Sequence, residues 1–182
     1  MATSREHVLH AAATLLSRRP TASMAEVAEA AGISRATLHR LVPGRDQLVR
    51  ELAGHALEAA IKAVADAEPE RGEAVDAAHR VVVALAPIAD LYAFLSGENQ
   101  LDEAGPELDA RWEELDERIV RLFRRGQESG AFRVDLSAEW MSECLSALLV
   151  GAGYAVRMGR LASGDVVRVV TTCLVDGVRR RS

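Results

Sequence analysis

The chain has 182 residues, 49% of them hydrophobic and 27% charged, which is enough apolar material for a packed core and argues against a disordered tract. Aromatics make up only 4%, and the formal net charge of −5 argues against a uniformly basic nucleic-acid coat. The charge is unevenly spread, however. Residues 1–50 carry seven arginines against four acids, a balance of +3 that leaves −8 on the remainder. Two cysteines, Cys144 and Cys173, are too few and too far apart for a disulfide scaffold or a zinc site. No apolar run reaches membrane-spanning length, and the opening MATSREHV has no signal-peptide core, so a cytoplasmic location without membrane contact is expected.

From Ser4 to Arg19 the apolar residues Val8, Leu9, Ala12, Leu15 and Leu16 recur at three- and four-residue steps, predicting a helix that Pro20 ends. Ser23 and Glu26 form a capping box that opens a second helix, which closes at Gly32. Ser34 caps a short third helix from Arg35 to Leu41, and Pro43 with Gly44 breaks the chain again. A fourth helix follows over about 45–65, with Leu48, Leu52, Leu57, Ile61 and Val64 on its inner side, and residues 66–72 read as a polar linker.

The pattern stays helical beyond the linker. Residues 73–95 predict an apolar helix kinked or split at Pro87, and residues 97–105 a polar turn. Pro106 opens a helix to about Glu128 that Gly130 closes, and residues 132–136 connect it to the next. Ser137 starts a long helix to about Arg160, and a last one runs from about Asp165 to Arg180. No segment alternates as a paired strand would. The predicted class is all-α: a three-helix head with a helix-turn-helix over residues 1–50, then a larger helical body over 51–182.

Residues 21–52 carry the functional signal. A helix of about eight residues, a tight turn at Gly32 and a second short helix make a helix-turn-helix, whose second helix enters the major groove with its first residues toward the base edges. Those residues are Ser34, Arg35, Ala36 and Thr37, followed by His39 and Arg40, while Leu38 and Leu41 point inward.

The string AEVAEAAGISRATLHRLVPGRDQLV resembles the TetR family signature, a hydrophobic-Ala-x-x-Ala-Gly-hydrophobic-Ser run leading to Thr-Leu-Tyr-x-x-Phe-x-x-Lys. The detailed likeness covers about residues 5–55. It departs where His39 stands for tyrosine, Val42 for phenylalanine and Arg45 for lysine. The resemblance implies a DNA-binding regulator, most simply a repressor that binds a palindromic double-stranded operator as a homodimer and is released by a small, mostly hydrophobic effector. It implies base reading by Arg35 and Thr37, and phosphate contacts by His39, Arg40 and Arg45. Ser34 is either a cap alone or a cap that also touches a phosphate.

By the same resemblance, the last two helices pair with their mates through Ala147, Leu148, Gly151, Ala152, Ala155, Val170, Leu174 and Val178. The alternative is that these residues only complete the subunit core. Candidates for an effector pocket in the middle helices are His79, Tyr92, Phe94, Trp112, Phe123, Trp140, Met141 and Tyr154, each of which could instead be plain core. Other readings are an activator of the same fold, a regulator answering to a protein partner, or a small helical enzyme. Against the enzyme, the five histidines show no metal-ligand spacing, and the chain has no Gly-rich phosphate loop, nucleophile elbow or paired-carboxylate signature, so no catalytic residue, metal or cofactor is expected.

Overall fold

The computed structural model describes residues 5–91 and 106–179, so the pocket candidates Tyr92 and Phe94, the turn at 97–105 and the Ser4 cap lie outside the described residues. Within them the chain is helical, with no strand. The head is α1 (Arg5–Arg18), α2 (Met24–Ala30) and α3 (Arg35–Leu41), and α4 (Arg45–Asp66) leads into the body. The body adds α5 (Ala74–Leu85), α6 (Pro106–Glu128), α7 (Ala138–Arg157) and α8 (Val166–Val170), which runs on through a π turn (Thr171–Val175) into Asp176–Val178.

Local chemistry sets the element ends. Ser23 accepts the amide of Glu26 while Glu26 takes the amide of Ser23 at 2.7 Å, the reciprocal box expected from the sequence. Gly32 has φ +65°, a left-handed conformation that a side chain would strain. Pro87 lies in a single 3-10 turn (Ala86–Ile88) that ends α5, after which residues 89–91 are again helical. The predicted single last helix is instead interrupted by the π turn, whose wider winding lets Leu174 and Val175 both face inward.

Two apolar clusters form the interior. One holds Val8 and Leu16 of α1, Val27 of α2, Leu38 of α3, and Leu48, Leu52 and Ala56 of α4. Leu91 joins it from the far side of α5. The other gathers Leu57 and Val64 of α4 with Val81, Ile119, Phe123, Met141, Leu145 and Val170. Thus α4 serves both clusters, and the head's core continues past residue 50 to Ala56. In the body, Gly126 lies against the ring of Phe132, which also tilts against Phe123 at 5.7 Å between centroids. Residue 132 then bridges to Arg179, and the Arg133 amide donates to the Val178 carbonyl at 2.8 Å, tying the end of the C-terminal helix to the α6–α7 connector.

The turn after α4 is held by arginines from two other helices. Arg80 of α5 donates to the carbonyls of Ala67 (2.9 Å), Glu68 (3.0 Å) and Arg71 (2.8 Å). Arg125 of α6 donates to those of Pro69 (2.7 Å) and Gly72 (2.6 Å), and Arg118 pairs with Glu70 at 2.6 Å. Carbonyls left over at a helix end need partners, and here guanidinium forks supply them.

Candidate nucleic-acid interface

The reading helix α3 is seven residues long and is anchored by one side chain. Leu38 is 1% exposed within the head cluster, and Val42 beyond the helix end is fully buried. Around that anchor Ser34, Arg35, Ala36, His39 and Arg40 are exposed and Thr37 is half-buried. Ser34 caps α3 by accepting the Thr37 amide at 3.1 Å, and its hydroxyl lies 2.9 Å from that of Thr37. The cap therefore fixes both side chains at the helix start. Arg35 and His39, one turn apart, open onto a cleft whose other wall is Ser23, Met24 and Ala25 at the start of α2, together with Pro43 and Gly44. Gly44 starts α4 without a side-chain cap, so the first amides of that long helix are not covered from within the turn.

Arg45, expected to contact phosphate, has a structural role in the head. It is half-buried and turns inward, donating Nη2 to the Pro20 carbonyl at 2.6 Å and Nη1 to the Ala22 carbonyl at 2.9 Å. It holds the α1–α2 turn to α4. Its carbonyl partners are more than twenty residues away, so no local spacing could announce them. A second tie joins α1 to α4, where Arg5 Nε meets Glu51 at 2.8 Å and Gln47 also reaches Glu51. The hydrogen bond from Arg5 holds the Glu51 carboxyl below its ordinary value. Glu26 is likewise lowered, first by the Ser23 amide, then by the Ser23 hydroxyl and by Arg19.

The six expected pocket residues that are described divide between the surface and the body core. His79 is exposed on α5, and Trp140 is 56% exposed on the outer face of α7. Tyr154 is also exposed, beneath the Arg157 guanidinium at 5.5 Å. Phe123 and Met141 are sealed in the body core, and Trp112 is half-buried against it. Among the described residues, a void between α5, α6 and α7 is aliphatic. Leu85, Ile88, Ala89, Ile119 and Leu149 line it with Ser146, and its volume of about 20 Å³ suits a single water. The expected kink at Pro87 sits beside three of the lining residues, Leu85, Ile88 and Ala89.

The expected pairing residues divide. Ala152 and Val170 are buried within the chain and complete its core, and Leu174 and Val178 are 2% and 5% exposed. Ala147 and Gly151 are exposed, with Leu148 and Ala155 half-buried. An open apolar groove of about 520 Å³ runs between α7 and the C-terminal helix, and Trp140, Cys144, Ala147, Leu148, Leu174 and Val178 all line it. Trp140 thus belongs to this outer groove. Among the described residues there is no cluster of His, Cys, Asp and Glu able to hold a metal ion, and no helix is long and apolar enough to cross a membrane.

Residues 8–52 match the model of the bacterial regulatory proteins of the tetR family, the same stretch that builds the head. Over 173 residues the chain is 32% identical to the HTH-type transcriptional regulator NfxB of Pseudomonas aeruginosa, covering 94% of this chain and 92% of the relative. The chain belongs to the TetR family. This TetR-family regulator is also 31% identical over 175 residues to the transcriptional repressor LfrR of Mycolicibacterium smegmatis, covering 96% of the chain and 90% of LfrR. Its fold matches LfrR in complex with proflavine at a TM-score of 0.79, with 29% identity over 97% of each chain. It also matches the ketosteroid transcriptional regulator KstR2 of Mycobacterium tuberculosis at 0.77, where 17% identity speaks to the fold alone. Both curated relatives are regulators of transcription, and by family this chain is a DNA-binding regulator too.

Proposed function

We propose that the chain is a cytoplasmic repressor that binds a palindromic operator as a homodimer and lets go when a small, mostly hydrophobic effector enters the body. The single observation that carries this reading is the outward face of α3. Arg35, His39 and Arg40 stand exposed around a buried Leu38, on a head with a surplus of positive charge. Arg35 and Thr37 read base edges, Ser34 and Ala36 lie close against the groove, and His39 and Arg40 hold phosphates beside the open amides of α4. Residues 1–50 are the DNA-reading unit and residues 51–182 the sensing and pairing unit.

The partner is a second copy of the chain, seated in the groove between α7 and the C-terminal helix. Trp140 gives it a large apolar anchor, and Ala147 with Gly151 lets two α7 helices approach closely. The aliphatic void lined by Leu85, Ile88 and Leu149 is where an apolar effector would enlarge the body, a reading supported by the proflavine bound to LfrR.

Fluorescence anisotropy of a labelled duplex from upstream of the chain's own gene, with a scrambled duplex beside it, tests the proposal. Tight binding to the first alone, with an affinity that falls steeply as salt rises, is the expected result. If no duplex drawn from a random library is selected over any other, the proposal fails.

A further inference from the structure

The interior of the body and the interior of the head are only a few residues apart along one stretch of chain. Leu85, Ile88 and Ala89 line the aliphatic void, and Leu91, two residues on, is buried in the cluster that holds Val8, Leu16 and Leu52 of the head. A displacement at Ala89 has little chain in which to dissipate before it reaches the head.

The position of that stretch is set by α7. A Cβ built on Gly153 would sit 2.3 Å from the Ala89 carbonyl oxygen and 2.6 Å from its carbonyl carbon, so the two backbones are in direct contact. Glycine inside a helix costs about 0.5–1 kcal/mol relative to alanine, and at residue 153 this contact leaves no room for a Cβ. Gly151, two residues before on the same helix, meets nothing within 4 Å. A turn further along, Arg157 Nη1 reaches the Asp90 carbonyl at 3.4 Å. The Asp90 side chain lies in the field of both Arg157 and Arg18 of α1, although burial pushes its carboxyl above the ordinary value.

Resting on the DNA-binding reading above, we infer that Gly153 and Leu91 are positioning residues for operator binding, with the Gly153–Ala89 contact setting how Leu91 seats in the head. As the described residues line it, the void has room for about one water, so a larger guest there moves its walls. Ala89 is one of those walls and is backed by α7 main chain, which cannot give way as a side chain would. Its displacement passes along the chain to Leu91, and the head shifts.

The test uses the full-length protein carrying Gly153→Ala, Leu91→Ala or both, with Gly164→Ala as a control whose added methyl meets nothing within 4 Å. Two readouts are needed: affinity for the selected duplex, and amide hydrogen exchange across residues 5–56. Each single variant should weaken binding about tenfold and speed exchange in α1–α3, the double should be no worse than the weaker single, and the control should match the wild type. Binding within about twofold of wild type with unchanged head exchange, or losses that add in the double, would overturn the inference. If Gly153→Ala does not fold, Arg157→Ala, which inserts no atom, replaces it in the same cycle with the same outcomes. Exchange requires no DNA. A wild type that selects no duplex therefore sinks the DNA reading, while the exchange data still decide the coupling.

Discussion

Arg45 donates Nη2 to the carbonyl of Pro20 at 2.6 Å, tying α4 to the α1–α2 turn from a half-buried position. Two charge-assisted hydrogen bonds to main-chain carbonyls each contribute on the order of 1–3 kcal/mol when their removal leaves a carbonyl without a partner. Arg45→Ala should lower the melting temperature of the protein. The salt dependence of DNA binding by the folded variant should stay as steep as in wild type, whereas Arg40→Ala should make it shallower. A salt slope that falls equally for both would return Arg45 to the phosphates.

The Arg5–Glu51 tie makes the head sensitive to acid. Glu51 has a folded-state pKa below its ordinary value of 4.5, so it binds protons less readily folded than unfolded. Its contribution is complete above the ordinary value and is lost as pH falls through the lowered one. Glu51→Gln should therefore be less stable than wild type near neutral pH, and the two should converge in strong acid. Thermal melts across pH 2–7 read this directly, and a constant gap at every pH would refute it.

Ala147 is exposed in the groove between α7 and the C-terminal helix, so a charge there leaves the subunit core intact. Ala147→Glu should yield a folded monomer by sedimentation velocity. Its operator affinity should drop with the loss of the second reading head. A variant that still sediments as a dimer would place the pairing surface elsewhere.

Gly126 leaves no room for a side chain, because a Cβ there would lie 2.0 Å from Cδ2 of Phe132. Gly126→Ala must push the ring off Phe123 or shift α6. Overpacking of this kind costs about 1–3 kcal/mol, which urea denaturation at an unchanged slope would register.

The head was readable from the sequence because its signals are local. The Ser23–Glu26 box, the Ser34 cap and the left-handed Gly32 each act within three or four residues, and the structure has all three. The body was readable only as helices. Whether Trp140 and His79 faced inward depended on which neighbours came to cover them, and periodicity within one helix does not hold that information. Arg45 shows the same limit inside the head: residue type announced a cation, and a turn more than twenty residues earlier decided where it pointed. Leu91 is the extreme case, a residue from beyond α5 that completes a core begun at Val8.

The five main-chain carbonyls gripped by Arg80 and Arg125 bear on how the protein can move. A rod stepped into a socket at its foot can lean but not slide, and α4 is stepped in this way between residues 67 and 72. Its 22 residues make a rod of roughly 33 Å. A lean of about 10° would carry its far end sideways by about 6 Å. Two such rods leaning apart would alter the separation of their tips by a sizeable part of the ~34 Å between successive major grooves, with hardly any rearrangement at the foot.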